Sequence, residues 1–306
     1  MEEKITLSIY ILAYNRAESV KKQVDFFAKE IEPYCSRVEL IVSDNASTDE
    51  TERYMRKYEN MKSFRYIRND KNYGLNGNAY LSAERARGEY LWIVGDDLFE
   101  KGVVKRVLDI IDANKDINFV YLNNRLCYGK SPYGKMEYVF NEGGYFENTW
   151  KFVEEKKYSF SKILTFTSCV IHRKENLEKT MSIIPLDGNF EYSWSYFEGL
   201  LALLNGRGFF EKKVWVYDQL LGVTWNDYAI IAYSSMVRSH KLLRKVGISR
   251  KEIKMLKKDC LYISPALEMA FLELSKYGKY WKEAIYLIFY SLFLDPKYTI
   301  KMFLFN

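Results

Sequence analysis
Apolar and polar positions follow one rhythm through the first third of the chain: a short apolar run, a polar loop, then apolar residues spaced by three and four. Lys4 to Ala13 is a near-continuous apolar run, and Ala17 to Ile31 carries helical spacing. Val38 to Val42 repeats the run. A helix is predicted behind it over Glu50 to Tyr58, with Ser47 or Thr48 as its N-cap and acids in its first turn. Phe64 to Ile67 reads as a third strand, Arg68 to Asn78 as a polar loop, and Ala79 to about Ala86 as a helix. Tyr90 to Val94, β-branched and aromatic, closes the series. Strands alternating with helices need crossover connections. The pattern therefore predicts a mostly parallel α/β sheet whose ligand site lies beyond the carboxyl ends of its strands.

At that edge the sequence places its polar residues. The run ending at Val94 passes through Gly95 and stops at two adjacent carboxylates, Asp96 and Asp97. Like charges at a strand's end repel, and partial burial makes their ionisation costly, unless a cation or a ligand hydroxyl takes up the charge. A divalent metal meets that need. Asn15, Asp44, Asn45, Asn72, Asn76 and Asn78 fall in the loops after the earlier strands, so all are expected to converge on the same edge. No GxxxxGK[ST] or GxGxxG follows the first strand, which excludes a P-loop enzyme and a dinucleotide-binding dehydrogenase.

Downstream, Val103 to Ile111 reads as a helix and Asn118 to Leu122 as a strand. Cys127 to Trp150 is rich in Gly, Tyr and Asn and reads as a loop or hairpin. Its Tyr133, Tyr138, Tyr145 and Trp150 offer faces on which a ligand ring can stack, although core packing is the stronger reading for any single one. Ile163 to His172 is strand-like, with His172 read as structural rather than metal-ligating. Arg173 to Thr180 and Asp187 to Gly206 are predicted helices, Val214 to Leu221 a strand, and Gly222 to Ala229 a loop that carries Trp225. From Ala232 onward the pattern is helical, with His240, Lys241, Arg244 and Lys245 expected in one basic helix.

Composition narrows the setting. A chain of 306 residues with 48% hydrophobic side chains can bury a core for one large α/β domain plus an appendage. Its four cysteines lie far apart, which suggests neither a zinc site nor a disulfide framework and makes a reducing cytoplasm the expected location. The opening run is too short for a signal peptide or a membrane span. The net charge of +6 comes from lysines and arginines concentrated after Lys241, interleaved with aromatics. That mixture suits an interfacial surface better than a nucleic-acid groove. Trp281 to Leu294 and Tyr298 to Phe305 read as helices too short to span a bilayer. Residues 240–306 are expected to lie on a membrane surface at its cytoplasmic face or to pack in a homo-oligomer.

Three stretches, in order, resemble the GT-A-fold glycosyltransferases of family 2 over about residues 5 to 225. LSIYILAYNR is similar to that family's first strand, LIVSDNASTDET to its Asp-Asp/Asn-Gly-Ser-Thr-Asp loop, and NYGLNGNAYLSAERARGEYLWIVGDD to its Asn-x-Gly loop, helix and DxD-type metal motif. Leu12 and Ala13 replace the usual Pro-Thr, and Ala46 the usual Gly. The resemblance implies a nucleotide-sugar donor, most commonly a UDP-sugar, with Mn²⁺ or Mg²⁺ neutralising the departing diphosphate. It implies Asp97 as metal ligand, Asp96 toward the ribose or sugar, Asp44 on the nucleobase, Ala13, Tyr14, Asn15 and Arg16 around the base pocket, and Asn72 and Asn76 in the Asn-x-Gly block. The acceptor would be a glycan or a lipid-linked glycan of the cell surface, and the outcome inversion.

An inverting transfer needs a carboxylate to take the acceptor's proton. The family usually shows Glu-Asp at the start of the helix near residue 190. This chain has no such pair, which leaves Glu191, then Glu198, and Asp187 as candidates. The implied organisation is a GT-A domain over residues 1–228, with a nucleotide-binding half (1–100) and an acceptor half (101–228), followed by a helical region over 229–306. A sugar-phosphate nucleotidyltransferase is one alternative, but it needs a Gly-rich basic loop after the first strand, where Ala13, Tyr14, Asn15 and Arg16 stand. A glycan- or nucleotide-binding module without a catalytic base is the other.

Overall fold
The computed structural model describes residues 4–126, 141–183, 206–218, 224–260, 280–297 and 299–300, together with 270 and 274. Among these, nine strands form one sheet: β1 (Leu7–Ala13), β2 (Val38–Asp44), β3 (Phe64–Arg68), β4 (Tyr90–Val94), β5 (Leu98–Phe99), β6 (Phe119–Leu126), β7 (Gly144–Phe146), β8 (Val170–Arg173) and β9 (Gly208–Asp218). The helices are α1 (Ala17–Ile31), α2 (Thr51–Met55), α3 (Gly74–Arg85), α4 (Val103–Ala113), α5 (Thr149–Glu155), α6 (Phe160–Thr165), α7 (Lys174–Ile183), α8 (Thr224–Ser239), α9 (Arg250–Lys258) and α10 (Trp281–Leu294).

The sheet order is β3-β2-β1-β4-β8-β6-β9-β5, with β7 beside β9. β3, β2, β1 and β4 run parallel, β6 pairs parallel with β9, and β8 lies antiparallel between β4 and β6. The mostly parallel α/β sheet and the helices that follow it match the sequence reading. Every residue of β2 and β4 is buried, as expected of strands covered by helices on both faces, and this is why they read as unbroken apolar runs. The side chains of α1 that point inward (Val20, Val24, Phe27, Ile31) pack on the sheet, and Phe27 meets Trp92 edge-on with ring centroids 5.5 Å apart. Phe99 touches both rings, so the turn after β4 is anchored to the core on either side of the two aspartates. Gly88 lets β4 begin close to β1: a Cβ there would lie 2.6 Å from the Ser8 nitrogen.

Several boundaries differ from the expectations. Ile163 to His172 is not one strand: α6 ends at Thr165, a tight turn covers Thr167–Cys169, and only Val170–Arg173 joins the sheet. A short apolar run without clear periodicity fits either element, and pairing with β4 and β6 decides it. The helix predicted from Ala79 begins at Gly74, whose φ of +73° follows a turn in which Asn72 Oδ1 accepts the Gly74 amide. Asn76 and Asn78 therefore lie on a helix and not in a loop. The basic helix expected through His240 ends at Ser239, and Arg244 and Lys245 sit in a separate turn, Leu243–Val246. Residues 184–205 and most of 127–150 and 298–305, where further elements were predicted, lie outside the described residues.

Candidate active site
The β1–α1 and β2–α2 loops are stitched together before either meets a ligand. Asn15 stands at φ +49°, one of the few side chains that tolerate the left-handed region, and turns its carboxamide toward the neighbouring loop. Its Oδ1 accepts the Thr48 amide at 2.8 Å, and its own amide donates to Ser47 Oγ at 2.9 Å. The hydroxyls expected to cap the next helix are thus turned toward Asn15. Asp49 takes the capping role, accepting from the Thr51 amide and hydroxyl with one oxygen and from the Ala17 amide with the other. Burial works against ionisation of Asp49, but these hydrogen bonds outweigh it and lower its pKa. Ala46, at φ +62°, occupies a conformation that a glycine adopts without strain.

Asp44 ends β2 and is fully buried. One carboxylate oxygen accepts the Ser47 amide at 2.9 Å; the other accepts the Tyr66 hydroxyl at 2.6 Å and the Arg68 guanidinium at 2.7 Å. Burial and then the bond to Asp44 push the Tyr66 hydroxyl well above its ordinary value. Arg68 keeps 38% of its side chain exposed, so the pair has a buried acid and a solvent-facing base. The next residue, Asn45, begins a carboxamide cluster in which Asn45, Asn69 and Asn78 are buried and Asn72 is exposed. Asn45 donates to Asn72 Oδ1 at 2.7 Å and accepts from Asn69 and the Tyr73 amide, while Asn78 accepts from Ser43 and donates to its carbonyl. This cluster ties β2 to the start of α3, so Asn72 is held by Asn45 and Asn76 projects from the first turns of α3, half-buried.

The turn after β4 is held from three sides. Gly95 donates its amide to Ser168 Oγ at 2.9 Å, and Trp92 donates its indole N–H to the Ser168 carbonyl at 2.9 Å. Gln23, buried on α1, donates to the Asp97 carbonyl at 2.5 Å. The Asp97 carboxylate folds back over Gly95, where a Cβ would lie 3.7 Å from its Oδ2. Asp96 points toward the β1–α1 loop and pairs with Arg16 at 3.0 Å, both side chains about 40% exposed, so the pair adds little stability and is open to exchange for a ligand. Beyond Asp97, β5 pairs antiparallel with Val216 and Tyr217 of β9. Sequence reasoning missed Arg68, Gln23 and Ser168. Arg68 closes β3 and was legible as a cation beside the site, but Gln23 and Ser168 are 74 and 73 residues from their partners and left no local signal.

Asn15, Arg16, Asp44, Asn72, Asp96 and Asp97 thus lie beyond the carboxyl ends of β1 to β4, tied into their loops by the bonds above; Tyr14 stands beside them 44% exposed, and Ala13 lies at the buried end of β1. Asp187, Glu191 and Glu198 lie outside the described residues, as do Tyr133, Tyr138 and the side chain of Trp225. Tyr145 donates to Asp116, and Trp150 is buried against Phe160 with centroids 4.6 Å apart. His172 is buried beside Phe119, paired in the sheet with Leu91 near the opposite end of β4 from the aspartates, and burial pushes its pKa down to about 3. It is a core residue. Among the described residues no group of three or more His, Cys, Asp or Glu side chains is placed to hold a metal alone. The Asp97 carboxylate is the kind of oxygen donor that Mn²⁺ and Mg²⁺ take, and a cation held there would need its remaining oxygens from a bound diphosphate.

The Glycosyl transferase family 2 model matches residues 8–180. Abequosyltransferase RfbV of Salmonella typhimurium is 33% identical over 114 residues, 36% of this chain and 34% of that protein. An uncharacterized protein of Mycobacterium tuberculosis is 36% identical over 94 residues, 30% of this chain and 27% of its own length. The chain thus spans about a third of the length of these curated relatives. Among solved structures, S. aureus TarS in complex with UDP-GlcNAc superposes with a TM-score of 0.69 at 17% identity, over 87% of this chain and 76% of that one. The mannosyltransferase PcManGT from Pyrobaculum calidifontis, in complex with GDP-Man and Mn²⁺, gives 0.60 at 15% identity over 98% and 84%. These likenesses show the GT-A fold.

Proposed function
Because the chain belongs to glycosyl transferase family 2, we propose that it transfers a sugar from a nucleoside-diphosphate donor to a glycan or lipid-linked acceptor. The observation that carries the reading is the linked edge itself. Asp96 and Asp97 stand in the turn after β4, where Asp96 meets Arg16 of the β1–α1 loop, and the turn is fixed by Ser168 and Gln23. The neighbours bound to UDP-GlcNAc and GDP-Man support a nucleotide-sugar donor, and the Mn²⁺ beside GDP-Man supports a divalent cation.

In this reading Asp97 holds Mn²⁺ or Mg²⁺. When bound there, the cation offsets the charge that builds on the departing diphosphate. Asp96 meets the ribose or sugar, releasing Arg16 to face phosphate, with Tyr14 and Asn15 lining the base pocket. Asp44 reaches the base together with Arg68: the half-exposed guanidinium can swing aside or offer its free N–H groups to a base carbonyl. A carboxylate from Glu191, Glu198 or Asp187 takes the acceptor's proton, with inversion at the anomeric carbon. The catalytic unit over 1–228, the helical region over 229–306 and a cytoplasmic location belong to the same proposal.

The test is a panel of nucleotide sugars with Mn²⁺ and detection of the released product. Nucleoside diphosphate is expected; pyrophosphate would point to a nucleotidyltransferase, and metal-dependent nucleotide binding without turnover to a binding module. Glu191→Gln and Glu198→Gln should differ in turnover. Full activity in both would leave Asp187 as the base among the three.

A further inference from the structure
Beyond its first turn, where Lys282 and Glu283 stand, α10 is almost wholly apolar around its circumference. One side, through Ala284, Leu287, Ile288 and Ser291, is buried, and the helix packs on α8. The opposite side stands in solvent: Phe293 is 92% exposed, Phe289 67% and Trp281 48%. A helix apolar on every face is normally enclosed, so the open ridge calls for something to cover it. At 14 residues α10 is shorter than the roughly 20 that a membrane-spanning helix needs.

The rim of the ridge is cationic. Arg238 of α8 lies over the Tyr286 ring at 4.7 Å, Lys257 of α9 over Tyr290 at 4.9 Å, and Lys282 over Trp281 at 5.6 Å. Lys258 reaches Asp295 at 3.5 Å, which offsets the acid at the far end of the helix; Lys297 just beyond it is exposed, and Glu283, in the first turn of α10, is half-buried beside Lys282. Glu252, the acid of α9, is engaged in that helix's capping box with Ser249.

We infer that the Trp281–Phe289–Phe293 ridge docks on an anionic lipid bilayer, the rings entering the interface and Arg238, Lys257 and Lys282 meeting the headgroups. Aromatic rings with cations lying along them are how amphipathic side chains sit at a lipid boundary. A second copy of the chain is the competing occupant. A two-fold interface built on this ridge would bring two rims that are mostly cationic together, whereas anionic headgroups neutralise them. The inference goes beyond the proposed transfer reaction, and its readout is independent of which sugar moves.

The experiment is cosedimentation of the full chain with vesicles of phosphatidylcholine, with and without phosphatidylglycerol. The wild type should partition onto the mixed vesicles about tenfold or more above pure phosphatidylcholine and lose most of that preference in high salt. Phe289→Ser with Phe293→Ser should reduce partitioning about tenfold or more at an unchanged melting temperature, because both rings are exposed. Phe289→Leu with Phe293→Leu, which keeps the apolar surface, should bind within about threefold of the wild type. Equal partitioning of wild type and serine variant, or no wild-type binding to anionic vesicles, would overturn the inference. A concentration-dependent dimer that the serine pair abolishes would give the ridge to a second copy, and would overturn it too.

Discussion

Replacing Asp44 by asparagine tests how the nucleotide edge is held. The change keeps the shape and removes the charge. The carboxylate is fully buried and serves three donors, the Ser47 amide at 2.9 Å, Tyr66 at 2.6 Å and Arg68 at 2.7 Å. An asparagine offers one oxygen. If that oxygen keeps the Ser47 amide, the NH₂ group faces Arg68 donor against donor, and Tyr66 keeps a bond only by turning to accept from the neutral amide, so both bonds to the charge are lost. A hydrogen bond to a charged group contributes about 1.5–3 kcal/mol, so losing two implies roughly 3–6 kcal/mol. Arg68 is 38% exposed and can turn to water, which brings the expectation to about 2–4 kcal/mol. Urea unfolding followed by circular dichroism measures it, alongside Arg68→Gln and the double variant. The cycle should show a coupling of about 1–2 kcal/mol between the two residues. A loss below about 1 kcal/mol for Asp44→Asn, or no coupling to Arg68, would refute the argument.

Two further predictions rest on single residues. Ala46→Gly should stabilise the protein by about 1 kcal/mol, since Ala46 holds φ +62° and glycine removes that strain; a stability loss in urea would show that the loop does not require the left-handed conformation. The chain's two histidines, His172 and His240, are both buried, and burial pushes each to about 3 from an ordinary 6.5. Below pH 6.5 the unfolded chain binds protons that the folded one refuses, so stability should fall with decreasing pH until about pH 3. Each histidine contributes a slope of about 1.4 kcal/mol per pH unit, and His240→Gln should remove one such increment between about pH 6 and 5. An unchanged slope would mean that His240 protonates without unfolding.

How much of this was legible in the sequence depended on the range of the interactions. β2 and β4 are covered on both faces, so they wrote themselves as unbroken apolar runs, and the acids at their ends followed directly. Ile163 to His172 was not legible, because its apolar run suits a helix or a strand and only pairing with β4 and β6 splits it. Ser47 and Thr48 have good capping chemistry, yet Asn15 claims them from 32 and 33 residues away and leaves the cap to Asp49. Asp97 could be read as a metal ligand from its place after a strand. Gln23 and Ser168, which fix its turn, act from other elements and are ordinary in their own neighbourhoods. The acceptor side was least legible: the usual Glu-Asp pair is missing, and Asp187, Glu191 and Glu198 fall in residues 184–205, outside the described structure.

The central claim is that Asp97 holds a divalent cation on a donor diphosphate. The direct measurement is release of nucleoside diphosphate from the preferred nucleotide sugar as Mn²⁺ is titrated, for the wild type and for Asp97→Ala. The account predicts turnover that requires the metal and falls by about a hundredfold or more in the variant, equivalent to about 2.7 kcal/mol in the barrier, at an unchanged melting temperature. Turnover that is indifferent to Mn²⁺ and Mg²⁺, or an Asp97→Ala variant as active as the wild type, would contradict it.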